Sequence, residues 1–202
     1  MNRRLIRRWM QQRNNLLSIS GSYYFRPDFE HILQGLCFDY TPKGVYVSTL
    51  CFPLFDFFGI NLTFSNRIEQ QGGFIANGSM TEEAAVNYVL SSPEARAVFD
   101  RNKSIDLSEF TTNIESLPYD WQRTRIAPIY IAAMLMLGHE VRTTRLFKAF
   151  PAASVLGVSD LSAWERLREK LQQGPEPAVA LLNEVRHENI RALGLPHMPS
   201  AA

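Results

Sequence analysis

The chain has 202 residues, of which 46% are hydrophobic and 11% are aromatic. These values are typical of a globular protein with a sizeable core, and the length suits one large domain. There are 21 basic and 20 acidic residues, which gives a net charge of +1 at pH 7. A charge so close to zero argues against a dedicated nucleic-acid binder, because such domains are usually strongly basic.

The balanced total hides an uneven distribution of charge along the chain. The first 13 residues contain no acid and five arginines, which are Arg3, Arg4, Arg7, Arg8 and Arg13. Residues 80–120 contain eight acids and three bases. The two segments either attract each other within the fold or each present a charged surface to a partner.

The N-terminal segment has the pattern of an amphipathic helix. Its apolar residues fall near helical spacing, with the arginines on the opposing side. We predict that this helix packs its apolar stripe on a sheet. The alternative is an arm that lies on a membrane surface or binds a partner, since basic amphipathic helices do either. The apolar residues are Leu5, Ile6, Trp9, Met10, Leu16 and Leu17.

A β-rich region follows residues 18–22. Residues 31–40 and 45–52 alternate in polarity around a TPKG loop at residues 41–44, which predicts a hairpin. Alternation over Ile60, Leu62 and Phe64 predicts a third strand, and residues 74–76 predict a short edge strand after a turn at residues 70–73. We therefore expect an antiparallel sheet of three to five strands.

The predicted hairpin also places the two cysteines, Cys37 and Cys51. With TPKG as the loop, Tyr40 faces Val45 and Phe38 faces Val47, so Cys51 shares their face and Cys37 lies on the other. The thiols cannot then form a disulfide, which favours a reducing compartment. The basic start lacks the apolar run of a secretory signal. We therefore expect a cytoplasmic protein.

From residue 79 onward the periodicity is helical. We predict helix N-caps at Ser79, Ser92, Asp106 and Asp120, the second of them before a proline at the first helical position. The apolar run at residues 126–137 predicts a central buried helix, because 12 residues are too few to span a bilayer. Pro128 either kinks that helix or marks its start.

Two further apolar stripes predict helices near the C-terminus, ended by Gly174 and Gly194. In all we expect an α+β protein with an N-terminal helix and a small antiparallel sheet, packed against about five helices. We predict one domain over residues 1–202. It consists of a β-rich part at 1–78, a helical part at 79–195 and a disordered tail at 196–202. The stripe residues are Leu161, Trp164, Leu167 and Leu171, then Ala178, Leu182, Val185 and Ile190.

No residue pattern points to catalysis, to a metal or to a cofactor. GHEVR at residues 138–142 begins like the zinc helix motif, but Arg142 stands where the second histidine is required. No phosphate-binding glycine motif is present. An enzyme remains an alternative only if distant residues meet in the fold, and His31, Asp56 and His139 are the candidates.

The segment PLFDFFG at residues 53–59 carries the leading functional hypothesis. Its proline interrupts a strand, and Phe55, Phe57 and Phe58 surround Asp56. Either the C-terminal helices cover these rings or part of them forms an exposed apolar patch, which generally marks a binding surface. In the second case Asp56 would be a charge at the rim of the patch.

These observations favour a non-catalytic protein-interaction module of unknown partner and oligomeric state. One version is a bacterial immunity or inhibitor protein that binds a toxin and occludes its active site. A second alternative is an accessory factor of RNA, which would use its arginines. The predicted partner-binding residues are Phe55, Asp56, Phe57, Phe58, Arg3, Arg4, Arg7 and Arg8.

Overall fold

A computed structural model describes residues 1–13, 17–60, 64–68, 73–100, 102 and 104–195. The chain forms two compact units. The sheet unit contains Met1–Phe52, Phe64–Ser104 and Leu193–Ala202, and the helical unit contains Pro53–Thr63 and Ile105–Ala192. The prediction of one domain stays a prediction, and the tail predicted at 196–202 lies outside the described residues.

The sheet unit begins with helix α1, Arg3–Arg13. Ile6 and Met10 are fully buried and join the core cluster formed with the strands, as the apolar stripe predicts. The outer face of α1 carries exposed arginines. The prediction that the helix packs on the sheet is therefore confirmed for Ile6 and Met10. Leu5 of the predicted stripe is 38% exposed, and Leu16 lies outside the described residues.

Six strands form one antiparallel sheet in the described part of the chain. Strands β1 and β2 were not predicted, because three residues are too few to show alternation. β3 and β4 correspond to the predicted hairpin. The predicted strand over Ile60, Leu62 and Phe64 falls largely outside the described residues, and the described strand there begins at Ser65. The strands are β1 Ser18–Ser20, β2 Tyr23–Phe25, β3 Ile32–Thr41, β4 Gly44–Pro53, β5 Ser65–Arg67 and β6 Phe74–Ala76.

The strand order is β1-β2-β3-β4-β5, and β6 pairs with β4 beside β5. The central hairpin turns through Pro42 and Lys43, and Phe38, Val45 and Val47 all lie in the core. Gly44 lets β6 approach, because a Cβ atom there would lie 2.2 Å from the Ile75 carbonyl oxygen. The predicted hairpin is thus confirmed, and alternation places its apolar side chains on the buried face.

Cys37 is buried, Cys51 is partly buried, and both are free thiols. Burial, with the nearby negative charge of Asp39, raises the pKa of Cys37 to about 11. A thiol with such a pKa is neutral at physiological pH, and Cys37 is therefore a poor nucleophile.

Two helices complete the described sheet unit, α2 (Glu82–Ser91) and α3 (Pro93–Phe99). Ser92 caps α3 by accepting a hydrogen bond from the amide of Ala95, as predicted. The cap predicted for α2 is wrong by two residues. Thr81 accepts from the Ala84 amide, while the Ser79 hydroxyl donates to the Ala76 carbonyl in the preceding turn.

A charged pair, Arg26 and Asp28, follows β2 in the chain. The Arg26 side chain is only 6% exposed. Its guanidinium binds both carboxylate oxygens of Asp28, with Nε–Oδ1 at 2.8 Å and Nη2–Oδ2 at 2.6 Å, and it also donates to the Val98 carbonyl. The Ser104 amide donates to Oδ2 of Asp28 at 2.9 Å. Three elements of the sheet unit are thus tied to one ion pair.

The helical unit contains six α-helices and one short 3-10 helix in its described part. α5 is buried on every side, which confirms the predicted central helix, and Pro128 lies in its first turn and so marks its start. The helices are α4 Leu107–Glu115, the 3-10 helix Trp121–Arg123, α5 Ile126–Met136, α6 Glu140–Ala149, α7 Ala152–Val155, α8 Val158–Gln172 and α9 Pro175–Ala192.

Asp106 caps α4 through the Glu109 amide, as predicted. Asp120 precedes the 3-10 helix without a side-chain capping bond, so that predicted cap is wrong. The α+β class is confirmed. The described helices after residue 79 outnumber the five predicted, because α6 and α7 were not anticipated. α7 has only four residues, too few for a periodic pattern. In the described part of the chain, no helix is long and apolar enough to cross a membrane.

Candidate functional site

The aromatic corner at residues 53–59 belongs to the helical unit, whose helices cover most of it. Phe55 is fully buried, and its ring meets Phe110 of α4 edge to face, with ring centroids 6.4 Å apart. Asp56 is 1% exposed. The idea of Asp56 as a rim charge is therefore wrong, and Phe55 is a core residue. Phe57 and Phe58 are partly exposed.

Hydrogen bonds hold the corner as a tight turn. The Asp56 amide donates to the Pro53 carbonyl at 2.9 Å, and Oδ1 of Asp56 accepts from the Phe58 amide at 2.9 Å. Asn189 of α9, itself 7% exposed, donates from Nδ2 to the carbonyls of Leu54 at 2.8 Å and Asp56 at 3.2 Å. The buried Asn189 amide thus gives the Leu54 carbonyl a donor, and it gives a second donor to the Asp56 carbonyl, which also accepts from the Gly59 amide at 3.3 Å.

The second carboxylate oxygen of Asp56, Oδ2, has no hydrogen-bond partner among the described residues. Burial raises the pKa of Asp56 to about 7. The Phe58 hydrogen bond and the charge of Arg125 oppose this rise, and the charge of Asp160 adds to it. Arg125 lies over the Phe58 ring at 4.9 Å and pairs with Asp160, with Nε–Oδ2 at 2.8 Å. Asp56 is therefore a carboxyl group that gains or loses its proton near neutral pH.

Trp164 of α8 connects the corner to a second set of aromatic rings. Its ring stacks on Phe147 of α6 with centroids 4.0 Å apart and an interplanar angle of 13°. Phe150 meets it edge to face at 5.2 Å. From the corner, Phe57 lies 6.4 Å away at 28°. The rings of Phe147 and Trp164 are in direct contact, so the cluster fixes α6 against α8.

A groove of about 670 Å³ opens over this cluster. We call it the aromatic groove. Leu135, Phe150 and Trp164 form its buried floor. The charged and polar residues of its rim are exposed, apart from Glu165, which is partly buried. Its volume lies within the range of known ligand-binding cavities. Its lining consists of Leu135, Glu140, Thr144, Phe147, Lys148, Phe150, Ala152, Ala153, Leu161, Trp164, Glu165, Arg168, Leu171, Gln172 and Pro175.

A second cavity of about 600 Å³ shares Phe150 with the aromatic groove. Trp121, Ile131 and Leu146 contribute apolar surface to it, and Asp120 and Arg123 contribute charges. Those two charges form an exposed ion pair with Nε–Oδ2 at 3.7 Å. The second cavity therefore has fewer aromatic anchors than the aromatic groove.

Comparison of the chain with models of protein families, with curated proteins and with solved structures gave no match.

The predicted partner-binding arginines lie on α1 in the sheet unit. Arg3, Arg4, Arg7 and Arg8 are all exposed. The guanidinium of Arg3 also lies 6.0 Å from the centre of the Tyr40 ring. Ile6 and Met10 anchor the same helix in the core, so α1 is a fixed surface and not a free arm. Its role in binding stays a prediction.

The catalytic alternative, which needs His31, Asp56 and His139 to meet, stays a prediction. His31 belongs to the sheet unit, where Nε2 lies 3.3 Å from Oε1 of Glu30, whereas Asp56 and His139 belong to the helical unit. His139 is exposed before α6, and Asp56 is buried in its turn. Across the described ranges, no cluster of three or more His, Cys, Asp or Glu residues is arranged to hold a metal ion.

Sequence reasoning missed the groove residues Phe147 and Phe150, and it assigned Leu161 only to the apolar stripe of a helix. Phe147 and Phe150 are three residues apart, which is a spacing that places them near one face at the end of α6. That signal identifies an apolar face, but it does not show that Trp164, more than a dozen positions later, packs against it. The pairing arises only from the packing of α6 and α8.

Proposed function

We propose that the protein is a non-catalytic interaction module that binds a segment of a partner protein in the aromatic groove. The observation that carries this proposal is the combination of a buried aromatic floor with an exposed charged rim. Aromatic and aliphatic anchors in water-excluded pockets supply most of the binding energy of protein interfaces, and polar groups surround them. The most specific form of the proposal is an immunity or inhibitor protein that occludes a toxin.

The aromatic groove is a better candidate surface than the aromatic corner at residues 53–59. Phe55 and Asp56 are buried and cannot touch a partner. Phe57 supports Trp164, which forms part of the groove floor. The corner therefore contributes to binding indirectly, because Phe57 holds Trp164 in position. The exposed arginines of α1 are a separate surface that suits an acidic partner.

A substitution at Ala153 tests the proposal. Ala153 is exposed on α7 and lines the groove, so Ala153→Trp fills the groove without removing a core side chain. Ala180 is exposed on α9 and does not line it, so Ala180→Trp is the matched control. We expect Ala153→Trp to weaken binding at least about tenfold, the effect of losing about 1.4 kcal/mol, and Ala180→Trp to leave it unchanged.

The measurement has two steps. Proteins from the source cell are retained on immobilised wild type and both variants. A partner retained by the wild type and by Ala180→Trp is then purified and titrated by calorimetry. Equal affinity of this partner for all three proteins would contradict the proposal. Arg7→Glu in the same titration tests the α1 surface separately, since a weaker complex there shows that the arginines contact the partner.

A further inference from the structure

Two charges on the groove rim lie on a single face of α6. Glu140 and Lys148 both line the groove and are exposed, and Thr144 lies halfway between them. Residues four positions apart in a helix stand one above the other. At 1.5 Å per residue, the two charges are separated by about 12 Å along α6. The rim thus carries an acid at one end and a base at the other.

These two charges differ from those on the opposite wall. On α8, Arg168 forms an ion pair with Glu165, so the two charges offset each other. In the part of the chain that the structure describes, no ion pair joins Glu140 or Lys148 to an opposite charge. Both remain available to a bound segment.

The walls of the groove favour a helix as the occupant. α6 and α8 have their backbone groups hydrogen-bonded within themselves, and neither presents a strand edge. An extended peptide would leave its own backbone groups without partners over the apolar floor, which is costly. A helix satisfies its own backbone, and it presents apolar anchors at intervals of three, four and seven residues. The wall from Leu161 to Gln172 is about 16 Å long, enough for such a set of anchors.

We infer that the aromatic groove takes an amphipathic helix that carries one basic and one acidic side chain about two turns apart. The basic side chain lies at Glu140 and the acidic side chain at Lys148. This inference rests on the proposed function and adds the chemistry of the partner. A segment with two acids would meet repulsion at Glu140, and one with two bases would meet it at Lys148.

Both charges also have a role within α6 that the test must separate from binding. Glu140 is in the first turn of the helix and Lys148 in the last turn, where each interacts favourably with the helix dipole. A role in helix stability alone changes the melting temperature of a variant. It does not change which peptide charges the variant prefers.

The probe is a displayed library of helical peptides of about 16 residues, which is long enough to cover the groove. Its apolar anchors are fixed, and the positions that face the rim are randomised. The library is selected on the full-length wild type, on Glu140→Lys and on Lys148→Glu. Arg191→Glu is the control, because it reverses an exposed base in the last turn of α9 away from the groove. Each selected peptide is also tested against the same protein with Ala153→Trp introduced. Peptides that no longer bind are the ones that occupy the groove.

We expect the wild type and Arg191→Glu to select peptides with one acid and one base two turns apart. Glu140→Lys should select two acids, and Lys148→Glu should select two bases. A mismatched charge should weaken binding up to about fivefold, the range of an exposed ion pair, and high salt should remove the preference. Groove-binding peptides with the same charges on all four proteins would overturn the inference. Failure to select any peptide that Ala153→Trp excludes would overturn the proposed function itself.

Discussion

The two units each contain one aspartate with unusual electrostatics, and the two respond in opposite ways. In the sheet unit, Asp28 has two donors from Arg26 and one from the Ser104 amide. In the helical unit, Asp56 has the Phe58 amide on one oxygen and no described hydrogen-bond partner on the other. Partial burial favours a higher pKa for Asp28, yet Arg26 and the amide donors lower it overall. Burial raises the pKa of Asp56 to about 7.

Burial, hydrogen-bond donors and nearby charges together give the two carboxyl groups opposite responses to pH. Because the pKa of Asp28 is lowered on folding, its contribution to stability is present above the unfolded pKa and is lost as pH falls through the folded pKa. Because the pKa of Asp56 is raised, its contribution is present below the unfolded pKa and is lost as pH rises from 3.8 through about 7. Titration of the two aspartates therefore makes the protein less stable at low pH through Asp28 and less stable at high pH through Asp56.

Asp56→Asn should remove the loss of stability at high pH. It should give the largest change in stability of the substitutions proposed for this comparison. Asparagine keeps the oxygen that accepts from the Phe58 amide but cannot ionise. Above pH 7 we expect the variant to be more stable than the wild type, by up to about 4 kcal/mol for a pKa that moves from 3.8 to about 7. Near pH 4 the two should be equally stable. Urea denaturation between pH 4 and pH 9 measures this, and parallel curves for both proteins would contradict it.

Arg26→Met should remove the ion pair of the sheet unit. It leaves Asp28 and the Val98 carbonyl without their guanidinium donor. The Arg26 side chain is only 6% exposed, so water replaces that donor poorly. We expect a loss of about 3 kcal/mol in the free energy of unfolding, the low end for breaking a buried pair, because Asp28 is partly hydrated. Arg26→Lys keeps the positive charge but loses the two-pronged guanidinium. Its free energy of unfolding should lie between those of the wild type and Arg26→Met. Urea denaturation at pH 7 is the measurement, and an unchanged midpoint for both variants would refute the role of the pair.

Asp160→Asn gives the smallest effect and sharpens the account of Asp56. The charge of Asp160 contributes to the raised pKa of Asp56, and Asp160 also occupies Arg125. Its removal should move the titration of Asp56 to lower pH, as measured by NMR of the carboxyl carbon. Stability should change by less than about 1 kcal/mol, because the ion pair is partly exposed. A midpoint that stays in place or rises would show that Asp160 does not act on Asp56.

Features set by a few neighbouring residues were the most predictable part of the fold. Ser92 before Pro93, and Asp106 three residues before Glu109, identified two helix starts, because a cap needs only the next turn. The helix Ile126–Met136 was recognised because it is apolar all round. Ser79 misled because its hydroxyl bonds within a turn, which leaves Thr81 to cap.

The candidate site depends on contacts between segments that are distant in sequence. The sequence therefore pointed only to Phe57, which lies beside the groove residue Trp164. Phe57 was noticed as part of an aromatic cluster, but its neighbour Trp164 was assigned only to a helix core. The sequence left open whether helices cover Asp56 or leave it at a rim, because nothing near it in sequence shows that Asn189 would donate to its turn. Residues more than a hundred positions apart meet there, and periodicity carries no information on such pairings.

The stacked position of Trp164 gives the protein a built-in optical signal. The chain has three tryptophans, and the others are Trp9 in the sheet unit and Trp121 at the second cavity. With phenylalanine at those two positions, the emission comes from an indole ring 2% exposed at the floor of the groove. A ligand that packs against Phe147 and Phe150 changes the surroundings of that ring, and so changes the wavelength and intensity of its emission. Occupancy of the groove can be followed without attaching a dye to the protein.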